Sequence, residues 1–180
     1  MIRIGILGNI GSGKSYVAKN FGYPVFDADY EVTKLYKKDK KIFKKLKKKL
    51  PKYISSFPIN KIEITNAILD NKSNLKKIIS VIHLEIRKIL KLFLKKNRNK
   101  KIIILDIPLL LENKINNQND ILVFVDSNKM EIEKRLKKRP SFNRKLINKF
   151  KKIQFSSTFK KRRASFIIKN NFKKKFVKNS

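Results

Sequence analysis

Residues 8 to 15, GNIGSGKS, have the types and spacing needed to hold a chain of phosphates. A triphosphate carries several negative charges that bulky side chains keep at a distance. The backbone itself must therefore approach and donate its N–H groups, and Gly8, Gly11 and Gly13 are spaced to allow that. Asn9, Ile10 and Ser12 complete the turn between the glycines. Lys14 supplies a mobile cation for the β- and γ-phosphates, Ser15 places a hydroxyl where Mg²⁺ would be ligated, and Tyr16 follows at the start of a helix. The positive end of that helix adds to the attraction. Residues 8 to 16 are thus the candidate nucleotide contacts. Chance matches to this pattern occur, but here both the preceding strand and the following helix are present.

Phosphoryl transfer also needs an acceptor, a group that orients or deprotonates it, and further cations for the moving phosphoryl group. Asp27 and Asp29 fall at the carboxyl end of a short apolar strand, the edge on which open α/β sheets bind ligands, and either is a candidate base. Asp29 also stands where a helix N-cap would be, and local pattern alone favours that capping role. Asp106 ends the apolar run IIIL, a position suited to holding Mg²⁺ through water, or equally to a plain strand-end carboxylate. His83 and Arg87 are four residues apart and project from one side of a helix, as a phosphate-holding pair or as a half-buried structural histidine beside a surface arginine. Arg135, Arg139 and Arg144 form a cluster of the side chain best matched to phosphate oxygens, in a segment of the kind that closes over kinase sites.

The elements that must position these residues follow from hydrophobic period and punctuation. IRIGIL at residues 2 to 7 reads as a buried strand, and Val17 and Phe21 give helical spacing in a helix closed by Gly22. Further strands are expected at Val25 to Ala28, Ile102 to Ile107, Ile121 to Asp126 and Phe166 to Ile168, each short and rich in Ile, Leu or Val as in a parallel sheet covered on both faces. Helices are expected from Lys129 to Arg139 and from Arg144 to Lys152. Residues 30 to 100 are mostly helical, broken at Pro51, Pro58 and the Asp70-Asn71 turn. Within them Leu75, Ile78, Ile79, Ile82, Ile86, Ile89, Leu90 and Phe93 mark a long amphipathic helix. The alternation of strands and helices predicts an α/β fold, a parallel sheet of about five strands flanked by helices. The tail from Lys173 to Ser180 is expected to fray.

The 180-residue length suits one domain. No segment is long and apolar enough to span a membrane, and the loop's start eight residues from Met1 leaves no room for a cleavable signal peptide. With no cysteine the chain has neither disulfides nor thiolate metal sites, and a cytoplasmic location is expected. The formal net charge of +34 suits a polyanionic partner. However, lysines run through nearly every segment rather than clustering with aromatics on one surface. Heavy use of Lys, Asn and Ile matches an AT-rich coding sequence, and no specific nucleic-acid partner is expected.

Five stretches in order, GILGNIGSGKS, GYPVFDAD at 22 to 29, HLEIR at 83 to 87, LDIPLLLE at 105 to 112, and Gln154 through Lys160 and Ala164 to FIIKN, resemble the dephospho-coenzyme A kinases. The resemblance covers almost the whole chain. It implies transfer of the ATP γ-phosphoryl group to the ribose 3′-hydroxyl of dephospho-CoA, the last step of coenzyme A synthesis, with ATP and Mg²⁺. It also implies a P-loop core at about 1–30, 100–137 and 164–180, a helical substrate-binding insertion at about 31–99 and a lid at about 138–163. By this resemblance Asp29 is the base, and His83, Arg87 and Asp106 lie on the substrate side. Lys14 and Ser15 keep their loop roles, and Arg139 serves as a lid cation. A monomer or weak homo-oligomer is expected. The family usually has threonine at Leu7, glycine at Asn9, proline at Leu84 and aspartate at Ser165. Asparagine tolerates left-handed backbone best among non-glycine residues, which would accommodate Asn9.

Competing readings share parts of this pattern, among them a basic nucleic-acid-binding protein with a relict loop, which predicts tight, steeply salt-dependent DNA or RNA binding and no ADP production. A nucleoside monophosphate kinase would share the loop and lid but not HLEIR or PLLLE. A GTPase reading of NKME at 128 to 131 fails at Glu131, where aspartate is required, and at Leu109, where glycine should follow Asp106 by three residues.

Overall fold

The structure, a computed structural model, describes residues 1–140 and 142–172. The expected fraying of Lys173 to Ser180 lies outside the described residues. The chain divides into two compact units, Met1–Asp27 with Asn97–Ser180, and Ala28–Lys96.

In the first unit the apolar runs form five parallel strands: β1 (Ile2–Gly8), β2 (Val25–Asp27), β3 (Ile102–Asp106), β4 (Ile121–Asp126) and β5 (Phe166–Lys169), in the order β2-β3-β1-β4-β5. The short helix α1 (Lys14–Asn20) connects β1 to β2, and β2 pairs with β3 rather than with β1. Central β1 therefore has β3 on one side and β4 on the other, and the connection leaving β1 runs toward β2 while the one leaving neighbouring β3 runs the opposite way, to β4. That divergence opens the crevice in which sheets of this kind bind ligands. Register aligns the carboxyl ends: Gly8 stands opposite Val125, Asp27 opposite Asp106, and Asp126 opposite Lys169.

One face of the sheet packs Ile4, Ile6, Ile104, Val123 and Val125 against Val17 and Ala18 of α1. On the opposite face a side chain at Gly5 would meet Leu110 at 2.6 Å. Leu110 and Leu111 after β3 are thus core residues, and glycine in the middle of β1 is what lets the 107–115 segment close onto the sheet. After β4 come α6 (Lys129–Lys137), capped by the Asn128 side chain, α7 (Arg144–Ile153) and α8 (Ser157–Arg163), capped by Ser156. The asparagine of the GTPase-like NKME is therefore a helix cap.

The second unit is helical: α2 (Ala28–Lys38), α3 (Lys40–Lys49), α4 (Lys61–Asp70) and α5 (Lys72–Lys96). Asp39 caps α3, and Asn60 with Glu63 forms a capping box on α4. The long α5 buries Ile78, Val81, Ile82, Ile86 and Leu90 and packs against α2, α3 and α4. It runs three residues beyond the apolar spacing at each end: the Asn71 side chain accepts from the Ser73 N–H at its start, and helix-favouring Leu94, Lys95 and Lys96 continue it at its end. Leu84 lies exposed on its surface and keeps its backbone N–H within the helix. Among the described residues no helix is long and apolar enough to cross a membrane.

Candidate active site

The loop between β1 and α1 turns through Gly11 and Gly13, both in the left-handed region, with φ of 84° and 89°. Its backbone is pinned by Ser12 N–H donating to the Asn9 carbonyl at 3.1 Å. Lys14 Nζ folds over the turn and donates to the carbonyls of Gly8 and Asn9 at 3.3 and 3.0 Å. A lysine held this way is already a cation poised over the cradle, and an incoming phosphate exchanges for these carbonyls rather than immobilising a loose chain. Ser15 and Tyr16 are exposed at the start of α1, and the buried Ser12 hydroxyl has no partner among the described residues.

Asp106 is buried at the end of β3, and burial pushes its carboxyl above the usual carboxylate range, aided by neighbouring Asp27. The Ser15 hydroxyl, which donates to it, and the Lys14 ammonium oppose that shift. Ser15 and Asp106 are hard oxygen donors side by side, and Asp27 stands in register beside them. Mg²⁺ keeps several waters and takes one or two carboxylates plus substrate phosphates, so this small donor set fits it without a protein cage.

Asp27 ends β2, and α2 begins at Ala28, so Asp29 lies inside the first turn of that helix rather than at its cap. This corrects the capping role favoured by local pattern: an Asp29 cap would start the helix at Tyr30, whereas α2 starts two residues earlier, at Ala28. His83 and Arg87 lie on α5 of the second unit, His83 half-buried and Arg87 exposed. Burial, reinforced by the Arg87 charge, lowers the imidazole's pKa below its ordinary value, so at neutral pH His83 is a neutral hydrogen-bonding group and Arg87 is the cation of the pair. The unfolded chain takes up this proton first as pH falls. Stability from His83 is therefore present above about pH 6.5 and is lost as pH drops through the lower folded value. In thermal melts across this range, His83→Gln should flatten the fall in Tm seen below pH 6.5. An unchanged slope would rule the assignment out.

Of the three arginines, Arg135 lies over the Phe172 ring at 4.4 Å, Arg139 is exposed in the turn after α6, and Arg144 is the exposed first residue of α7. They share a stretch of chain but serve different surroundings. A cleft of about 490 Å³ opens beside Arg135's partner, lined by Ser127, Asn128, Met130, Lys169, Asn171 and Phe172 among others.

Several contacts behind the loop carry no local sequence signal. Asn9 is absent from the left-handed residues, so backbone tolerance does not explain it; instead its side-chain amide exchanges two hydrogen bonds with Ser157 of α8, at 3.0 and 3.1 Å. Glu112, the acid of PLLLE, accepts from the Phe155 N–H at 2.9 Å and pairs at 3.1 Å with Lys160, which is only 3% exposed. A buried lysine needs such a partner. The pair ties α8 and the residues before it to the segment after β3. Only the resemblance singled out Glu112 and Lys160, and it gave neither a role.

The chain is similar to proteins of known family and fold. A family model described as dephospho-CoA kinase matches residues 2–175. The dephospho-CoA kinase of Wolbachia sp. subsp. Brugia malayi is 32% identical over 97% of this chain and 91% of its own length. That of Rickettsia felis is 34% identical over 93% and 87%. Among solved structures, a Thermus thermophilus protein superposes with a TM-score of 0.77 at 26% identity, covering 99% of this chain and 92% of that one. The dephospho-CoA kinase from Campylobacter jejuni shares the fold, with a TM-score of 0.60 at 21% identity over 98% and 92%. A match running from residue 2 to 175 takes in the phosphate loop, the helical unit and the segment that carries Glu112 and Lys160, and by it the chain belongs to the dephospho-CoA kinase family.

Proposed function

We propose that this chain transfers the γ-phosphoryl group of Mg·ATP to the ribose 3′-hydroxyl of dephospho-CoA, giving coenzyme A and ADP. The observation that carries this reading is a complete phosphate loop, with Ser15 donating to Asp106, inside a family match that spans residues 2–175. Residues 8 to 16 hold the triphosphate, and the cleft beside Phe172 has room for the adenine. Ser15 and Asp106 hold Mg²⁺, which when bound neutralises charge on the β- and γ-phosphates.

Asp29 orients the 3′-hydroxyl and takes its proton as the new O–P bond forms and the bond to the ADP oxygen breaks. Lys14 and Arg139 stabilise the charge that spreads over the transferring group. The helical unit, with His83 and Arg87, is assigned the binding of dephospho-CoA, and residues 138–163 the role of a lid that excludes water. The same reading places the protein in the cytoplasm as a monomer or weak homo-oligomer.

The test supplies ATP and Mg²⁺ with dephospho-CoA in one arm and nucleoside monophosphates in the other. Coenzyme A, detected by mass, is expected in the first arm only. Phosphorylation of a monophosphate without coenzyme A would assign the acceptor to the competing kinase class.

A further inference from the structure

Asn170, just past the end of β5, is 2% exposed and hydrogen-bonded through both its backbone and its side chain. Its backbone N–H donates to the Asp126 carbonyl at 2.7 Å, its Oδ1 accepts from the Phe172 N–H at 2.9 Å, and its Nδ2 donates to the Ser12 carbonyl at 2.9 Å. Because one partner is a backbone donor and the other a backbone acceptor, the orientation of the amide is fixed by its surroundings. Phe172, which supplies the donor, is itself covered by the Arg135 guanidinium. Ser127 Oγ, from the turn after β4, donates to the same Ser12 carbonyl at 2.9 Å. A carbonyl oxygen has two lone pairs, and here both are taken.

The Ser12–Gly13 peptide is trans, so the Ser12 carbonyl and the Gly13 N–H point in opposite directions from one rigid plane. We propose that Asn170 and Ser127 are positioning residues of the phosphate loop: by holding the Ser12 carbonyl at the rear, they aim the Gly13 N–H forward into the cradle. The inference rests on the proposed use of residues 8 to 16 for the triphosphate, and it assigns the aim of one of those donors to side chains far along the chain. It also accounts for the third glycine of the loop. A side chain at Gly13 would stand 2.4 Å from Asn170 Nδ2, so the anchor occupies the space that any larger residue would need.

The test is Mg·ADP binding by titration calorimetry, beside steady-state kinetics. Asn170→Asp keeps the shape and the acceptor for Phe172 but turns an acceptor oxygen toward the Ser12 carbonyl. It should weaken Mg·ADP binding about 10- to 100-fold and raise KM for ATP in step, with KM for dephospho-CoA within about twofold. Ser127→Ala removes one of the two donors and should weaken ADP binding about fivefold, and Ser127→Thr should restore it. The Gly13 amide resonance should move on ADP addition in the native chain and in Ser127→Thr, and lose most of that response in Asn170→Asp.

A folded Asn170→Asp that binds Mg·ADP as the native chain does would overturn the proposal. If that variant does not fold, unaltered ADP binding by Ser127→Ala would overturn it instead. Native Mg·ADP binding without transfer to dephospho-CoA would sink the acceptor assignment and leave this inference standing. A native chain that binds no Mg·ADP would sink both.

Discussion

Asp29→Asn is expected to lower kcat for transfer to dephospho-CoA by about 10²- to 10⁴-fold while leaving Mg·ATP affinity within about twofold. Asparagine has nearly the same shape and still forms hydrogen bonds, so the acceptor can be held in place. It cannot take a proton, and the 3′-hydroxyl is a poor nucleophile while it keeps one. Asp29 lies in the first turn of α2, directly after β2, and outside the stretch 8–16 assigned to the triphosphate. A loss confined to kcat is therefore the signature of the base, whereas a structural role for a residue in a helix's first turn would lower Tm and disturb both substrates. Single-turnover kinetics with nucleotide titration separate these, and near-normal turnover in a folded Asp29→Asn chain would end the assignment. In that case Asp27, two residues away and in register with Asp106, becomes the next residue to test.

Lys14→Met should reduce kcat/KM for ATP by about 10²- to 10³-fold, mostly through kcat. The thioether side chain keeps much of the stem that crosses the loop and removes the ammonium that bonds the Gly8 and Asn9 carbonyls. Those hydrogen bonds are partly solvent-exposed, so the loss to stability should be only about 1 kcal/mol. Lys14→Arg should not rescue, because a planar fork is a different object from a compact ammonium in a cradle of fixed size. Retained ATP turnover in Lys14→Met would show that the charge on the moving phosphoryl group is met elsewhere, with Arg139 the first candidate.

The strands and the loop were legible because their signals are local. The apolar run at Ile2–Gly8, the glycines after it and the helical spacing of Val17 lie within a few turns of chain, and the long α5 declared itself by recurrence at three and four. Boundaries moved by a residue or more: Ala28 joined α2 instead of β2, which carried Asp29 from the cap into the helix. Backbone conformation does not account for Asn9, whose partner is Ser157, 148 residues away. The supports of the loop are equally remote, Ser127 at a separation of 115 residues and Asn170 at 158. Periodicity cannot report such pairings, because they depend on which strands become neighbours. The order β2-β3-β1-β4-β5 sets that, and no single segment encodes it.

The contact between Asn170 and Ser12 also has a meaning for synthesis. Synthesis runs from the N-terminal side, so residues 8 to 15 emerge before the distant residues that contact them. A nascent chain stopped after β4 carries all of residues 8 to 15, with Ser127 still to come if the stop is at Asp126, and no Asn170 in either case. Such a chain displays the whole glycine-rich motif with its Ser12 carbonyl unsupported. The glycine-rich motif thus leaves the ribosome well before the residues that complete the cradle, and a chain truncated before β5 would keep the motif while losing its hold on ATP.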